Sequence, residues 1–402
     1  MPRSAAASRR TLPGPLKALL GVLVAAGLLG GAEAAMRGAW GPPPPAPDLV
    51  SVSVATLVDE GASMRLSHPV DPRQDRTVSK AVTLQKRVLV LGGSAVHHAW
   101  TLPEEQNFPL WLDRALPDVD VVNLGGPGQQ TGGLAVLAGQ TAPLSPDLLV
   151  VYTGHNDFSR VVFHGDVAAP QLALVPVLQA LSQSWIFTRL RTHTQPLVSE
   201  RGGRRSVVLT TTDERALRLR RDALAAYRRG LEAIADAAPA PVLFLTQLRN
   251  ADSPPTGVVA EAGSPCAMAA FRLRPGDLRR PDREHAAIEH VCGSDSALTW
   301  WLAAQAARQA KDPVGAREAF ERSLDLDPLP MRAPAAADAV IAEAAAASGA
   351  GFLDLAMVLD PVPPGSWFED TLHPSPAGAR VLGEALAPHV QAALDGRMPG
   401  GG

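Results

Sequence analysis

From Arg87 onward, short runs of β-branched and other apolar residues alternate with stretches whose apolar positions recur at helical spacing. The runs place strands at Arg87–Leu91, Val119–Leu124, Leu148–Tyr152, Val242–Thr246 and Phe352–Leu355. Each is almost continuously apolar, as expected of a parallel strand covered on both faces. Helices are predicted over Phe108–Leu116, Thr131–Gln140, Asp213–Ala237 and Pro376–Leu394. Strand and helix in regular succession predict an α/β fold: a three-layer α/β/α sandwich around a five-stranded parallel sheet.

Two interruptions break the rhythm. The crossover Phe158–Thr212 is too long for a plain connection and should hold extra structure or a lid. Between Ala297 and Pro328, the residues Trp300, Ala304, Ala316, Phe320 and Pro328 fall near the positions of one tetratricopeptide unit. A single helical hairpin cannot bury its own face, so it must pack on the main domain or on a protein partner, and a helix over Pro334–Ser348 would complete it. Upstream, residues 49–86 show one alternating strand, Val50–Val54, in a lead-in whose pattern otherwise defines no element.

The N-terminus adds an export signal to this picture. Arg3, Arg9, Arg10 and Lys17 precede an uncharged apolar run, Ala18–Ala32. Residues 1–40 therefore read as a signal-anchor or signal peptide. Ala32-Glu33-Ala34 suits cleavage, whereas the i,i+4 pair Glu33 and Arg37 suits a helix that continues as a membrane anchor. Positive charge before the run keeps the arm in the cytoplasm and sends the rest outside, to the periplasm or cell surface. The prolines at 42–45 and 47 make residues 41–86 begin as a stiff spacer.

Composition adds limits. With 46% hydrophobic and 19% charged residues, the 402-residue chain is a globular one with room for a large domain and additions. A net charge of −3 offers no field to gather nucleic acid, and the arginines between Arg215 and Arg229 lie at helical spacing as a solvated face. The two cysteines, Cys266 and Cys292, sit in a loop-rich region. Outside the cytoplasm they can form a disulfide; two separate buried thiols are the alternative. No spacing of His, Cys, Asp or Glu suggests a metal site.

Candidate chemistry gathers at strand ends, where open α/β sheets bind ligands. The first strand of the parallel set ends in Gly92-Gly93-Ser94. The second is followed by Gly125-Gly126-Pro127-Gly128-Gln129, and the third by Thr153-Gly154-His155-Asn156-Asp157. In a flavodoxin-like strand order the second and third strands flank the first, so Gly128 and Asn156 flank Ser94. A serine hydroxyl needs a base, and Asp370-Thr371-Leu372-His373-Pro374, just before the last helix, supplies one. Asp370 and His373 can share one side of a turn, Asp370 holding one ring nitrogen and leaving the other toward Ser94. Taken alone, each piece also suits ordinary turn chemistry.

These four blocks, in this order, resemble the SGNH (GDSL-like) hydrolase superfamily. The first departs from its Gly-Asp-Ser-Leu pattern, with Gly93 in place of Asp and Ala95 in place of Leu. The resemblance implies the SGNH hydrolase fold over residues 87–395, with a tetratricopeptide-like insertion at 297–348; residues 396–402 are expected to be a disordered tail. It implies Ser94 as nucleophile, His373 and Asp370 as the rest of a triad, and the Ser94, Gly128 and Asn156 groups as oxyanion donors, with no cofactor. A narrower resemblance is to bacterial membrane-anchored SGNH proteins that carry tetratricopeptide-like helices. It rests on Asn123-Leu124-Gly125, Tyr152 to Phe158, Leu248-Arg249-Asn250 and Asp325 to Ala333. The implied activity is hydrolysis of a small-molecule or glycan acyl ester. A polysaccharide O-acyltransferase or deacetylase, and a non-catalytic carbohydrate- or lipid-binding assembly protein, are the alternatives. His97 and His98 either line the pocket or face solvent, and His155 supports the loop that aims Asn156.

Overall fold

The computed structural model describes residues 30–35, 37–38, 55–68, 75–97, 106–164, 214–260, 264–273, 278, 280–328 and 330–400. The apolar run up to residue 29, the proline-rich spacer, the strand expected at Val50–Val54, His98 and residues 165–213 of the long crossover lie outside these. Arg37 Nε donates to Glu33 Oε1 at 2.8 Å in a helical segment, as the i,i+4 spacing predicts. Among the described residues, no helix is long and apolar enough to cross a membrane.

Eight strands are described: β1 (Thr56–Asp59), β2 (Ser63–Ser67), β3 (Arg76–Ser79), β4 (Lys86–Gly92), β5 (Val119–Asn123), β6 (Leu148–Tyr152), β7 (Val242–Leu245) and β8 (Gly351–Leu353). The last five form one sheet in the order β5-β4-β6-β7-β8, every neighbouring pair parallel. This is the flavodoxin-like order, and all five strands fall where the apolar runs predict them. Successive residues alternate between two cores. Leu89, Leu91, Leu149 and Val151 join one cluster, and Val88, Val90, Leu148 and Val150 the other. Two buried faces explain why the runs are continuously apolar.

Helices follow in chain order: α1 (Ser94–His97), α2 (Phe108–Ala115), α3 (Thr131–Gly139), α4 (His155–His164), α5 (Glu214–Ala237), α6 (Pro265–Arg272), α7 (Pro281–Cys292), α8 (Ala297–Gln309), α9 (Pro313–Leu326), α10 (Ala336–Ser348), α11 (Leu355–Val358) and α12 (Pro376–Leu394). α3, α5 and α10 cover one face of the sheet, and α2 and α12 the other.

Four expectations change. The lead-in, where the pattern names only one strand, holds three: β1, β2 and β3 form an antiparallel meander whose Leu57, Met64 and Leu66 enter the main core beside the preceding Ala55. The buried Arg87 fastens it, donating to the carbonyls of Ser79, Lys80 and Ala81 and to Asp120. The helix expected to complete the helical hairpin belongs to the sheet instead. Ala337, Ile341, Ala344 and Ala345 of α10 pack in the core shared with α5, Ile341 filling it while the three alanines let the helix lie close. The loop-rich region around the cysteines is largely helical, α6 and α7, with Cys266 and Cys292 disulfide-bonded to each other. Finally, residues 396–400, expected within a disordered tail, run beside β8: Phe352 N–H donates to Pro399 O at 3.0 Å, and Met398 packs on the core.

The hairpin α8–α9 is present and packs on the main domain. Phe320 is buried with Ala304, Ala316 and Ala319, and the same cluster contains Ala251 and Val362 from loops after β7 and β8. Trp301 is fully buried, its Nε1–H bonded to Ala251 O at 2.9 Å, and Trp300 is partly buried.

Candidate active site

Ser94 opens the short helix α1 immediately after the buried strand β4. The chain can turn there only because Gly92 lacks a side chain: a Cβ would collide with the Tyr152 carbonyl and the Val96 side chain. At Gly93, where the family pattern carries Asp, a Cβ would strike Asn156 Nδ2.

His373 Nε2 lies 2.8 Å from Ser94 Oγ, and His373 Nδ1 lies 2.7 Å from Asp370 Oδ2. The other carboxylate oxygen of Asp370 accepts the N–H groups of Leu372 (2.9 Å) and His373 (2.8 Å), so Asp370 closes its own turn. Burial alone would raise the Asp370 pKa; the His373 ring and these two N–H groups outweigh it and bring it down to about 2. Asp370 therefore stays ionised and fixes the proton on Nδ1, leaving Nε2 to accept from the Ser94 hydroxyl. The turn is bracketed by a bridge between Phe368 and Pro374, and Ser375 then caps α12, accepting Gly378 N–H at 3.2 Å.

The loops after β5 and β6 are tied to each other. Asn156 Nδ2 donates to Gln129 O at 2.9 Å, Gln130 Nε2 donates to Asn156 O at 3.0 Å, and Asp157 Oδ1 accepts both the N–H (3.1 Å) and hydroxyl (2.7 Å) of Thr131. Gly154, at φ +145°, sits under the Tyr227 ring in a conformation that side chains rarely adopt, and the Tyr227 hydroxyl donates to Thr153 O at 2.7 Å. A small open cleft beside the serine is lined by Ser94, Thr153, His155, Asn156, Gln247 and Leu372, among others.

The sequence expectations for the site divide accordingly. Ser94, His373, Asp370 and Asn156 come together. Gly128 does not line the cavity; at φ +67° it forms the exposed tip of the turn from Gly126 to Gln129. His155 is buried and its Nδ1 accepts Ala333 N–H at 3.1 Å, bracing the loop that carries Asn156. Burial, with help from Arg249, lowers its pKa to about 3, so the ring is neutral. His97 neither faces solvent nor lines this cavity: it is buried, its ring 5.4 Å from that of His68. Sequence reasoning missed Thr153 and Gln247 as lining residues, although both sit at strand carboxyl ends, the signal that found Ser94.

A scan against family models and a search of curated proteins returned no match. Among solved structures, the chain is similar to TesA, with TM-score 0.34 and 18% identity over 75% of this chain and 97% of that one. LAE5, an alpha/beta hydrolase enzyme from the metagenome of Lake Arreo, Spain, gives TM-score 0.33 and 13% identity over 79% and 97%. A protein assigned to the lipolytic G-D-S-L family, from Desulfitobacterium hafniense DCB-2, gives 0.30 and 11% over 76% and 99%. Likeness at this level decides nothing about chemistry, which rests on this chain's own side chains.

Proposed function

We propose that the protein is an extracytoplasmic serine esterase of SGNH type that cleaves acyl esters through an acyl-enzyme intermediate. The observation that carries this reading is the continuous chain from Ser94 Oγ through His373 to Asp370 at the carboxyl end of a buried strand. In the first step Ser94 Oγ attacks the ester carbonyl while His373 Nε2 takes its proton. The Ser94 N–H and the Asn156 amide stabilise the oxyanion. His373 returns the proton to the leaving alcohol, and the acyl–serine bond then breaks by the same chemistry with water. Asn156 Nδ2 would exchange its bond to Gln129 O for one to the oxyanion.

The paired cysteines support a location outside the cytoplasm, since such bonds persist in oxidising compartments. With the basic arm and apolar run ahead of the spacer, they favour a domain held at the outer face of the membrane by its N-terminal helix. The hairpin α8–α9 would offer its outer side to a protein partner.

Hydrolysis of a panel of short- and long-chain acyl esters and acetylated glycans by the full-length protein, beside Ser94→Ala, tests the assignment. Ser94-dependent release of acid is expected. Acceptance of the acyl group by a sugar hydroxyl in place of water would make the protein an O-acyltransferase with the same residues. Equal turnover by parent and Ser94→Ala would refute Ser94 as the nucleophile, and no turnover by either would leave a binding protein.

A further inference from the structure

We propose that Asn250 and Arg332 are positioning residues for the Asp370–His373 turn, so that the segment closing the helical insertion forms part of the catalytic scaffold. This rests on the reading of Ser94, His373 and Asp370 as a catalytic set. The turn needs outside support. It follows β8 by a stretch whose only regular structure is α11 and a single turn of 3₁₀ helix, Gly365–Trp367. Its two cross-links to the loop after β7 both come from Asn250. The Asn250 N–H donates to Thr371 O at 3.2 Å, and its Nδ2 donates to Asp370 O at 2.7 Å. The amide cannot turn over freely, because its Oδ1 accepts Asp252 N–H at 2.9 Å.

Asn250 is itself held from the far side of the insertion. Arg332 Nη1 donates to Asn250 O at 2.7 Å and to Ser253 O at 2.9 Å, and Nη2 donates to Pro254 O at 3.2 Å. The next residue, Ala333, donates its N–H to His155, the neighbour of Asn156. Arg249 locks this segment in place, bonding the carbonyls of Ala333 and Pro334 and both carboxylate oxygens of Asp338. Two consecutive residues thus brace both halves of the site, the base turn through Asn250 and the oxyanion loop through His155. Arg332 is buried, with backbone carbonyls as its hydrogen-bond acceptors and its guanidinium 5.7 Å over the Phe320 ring. Burying a charge in this way is expensive, and an apolar contact would join the insertion to the domain at less cost. Aligned carbonyls, by contrast, need a donor fork of fixed geometry.

The test compares Asn250→Ala with the parent, both full length, in ester hydrolysis and in labelling by an active-site phosphonate. Misplacing the base by a fraction of an ångström to 1 Å should lower kcat by roughly 10- to 100-fold, with KM nearly unchanged. Phosphonate labelling of Ser94 should slow by a similar factor. Arg332→Met should give the same pattern, and Arg332→Lys, which still donates to the Asn250 carbonyl, should recover part of the loss. Parent kcat and labelling rate in a folded Asn250→Ala protein would overturn the proposal. A change confined to KM would also overturn it, because that would mark Asn250 as a substrate contact. An active, labelled parent with an unaffected variant refutes positioning alone; a parent without Ser94-dependent turnover refutes the catalytic reading on which positioning rests.

Discussion

Replacing Phe320 with alanine tests whether the helical insertion is packed into the domain. Phe320 is 3% exposed, at the centre of a cluster with Ala304, Ala316, Ala319 and Leu324 on the hairpin and Ala251 and Val362 on the main domain. A buried phenylalanine removes roughly 150–250 Å² from water. At ~25 cal/mol per Å² that gives ~4–6 kcal/mol as an upper bound. Measured Phe→Ala changes in cores are ~3–5 kcal/mol, larger where the site cannot collapse. Here most of the neighbours are alanines with no side-chain length to move inward, so ~4 kcal/mol is expected. The Arg332 guanidinium adds little, since 5.7 Å is near the limit of about 6 Å for a useful cation–π contact. The assay is urea unfolding followed both by tryptophan fluorescence, which Trp300 and Trp301 make sensitive to the hairpin, and by far-UV circular dichroism. Both midpoints should fall together. An unchanged far-UV midpoint would mean that the hairpin stands apart from the domain, and the packing argument would be wrong.

Three further outcomes follow from the site and its supports. His155 is held neutral with a pKa of about 3, below the ordinary histidine value, so the unfolded chain binds its proton first as pH falls. Its contribution is present above about pH 6.5 and is lost as pH drops toward 3. Between pH 7 and 5.5 the parent should lose ~1.3 kcal/mol more stability than His155→Gln, and equal pH slopes in paired denaturation curves would contradict the neutral ring. Cys292→Ser should lower stability by ~3.5 kcal/mol in the chain-entropy model for a bridge spanning a sequence separation of 26. Two free thiols in peptide maps of the native protein would refute the bridge. Asn156→Ala should reduce kcat by ~100- to 1000-fold with little change in Tm, and a loss below tenfold would remove Asn156 from the oxyanion site.

The parallel sheet was legible because burial on both faces demands continuous apolar runs, and β6 matches the expected Leu148–Tyr152 residue for residue. The meander was not, because strands of four or five residues with alternating burial, such as Ser63–Ser67, leave a weak pattern. Helix α10 was visible as a helix but not as a sheet-covering one, since an alanine-rich stripe packs equally well on either neighbour. For the site, Ser94, Asn156, Asp370 and His373 could be read because each sits in a short block at a strand end or before a helix. The roles of Asn250 and Arg332 could not. Their hydrogen bonds join residues 120 and 82 positions apart and become visible only once the chain is folded. Gly128 shows the reverse limit: spacing placed it in the right loop, but the turn carries it to the exposed tip.

The most direct test of the account is covalent labelling with an active-site phosphonate, read by peptide mass spectrometry, on the parent, His373→Ala and Asp370→Asn proteins. Ser94 should be the labelled residue in the parent. Labelling should be lost in His373→Ala, where no base takes the proton, and slowed in Asp370→Asn, where the imidazole loses the group that fixes its tautomer. Label on another serine, or labelling of His373→Ala at the parent rate, would contradict the proposed mechanism.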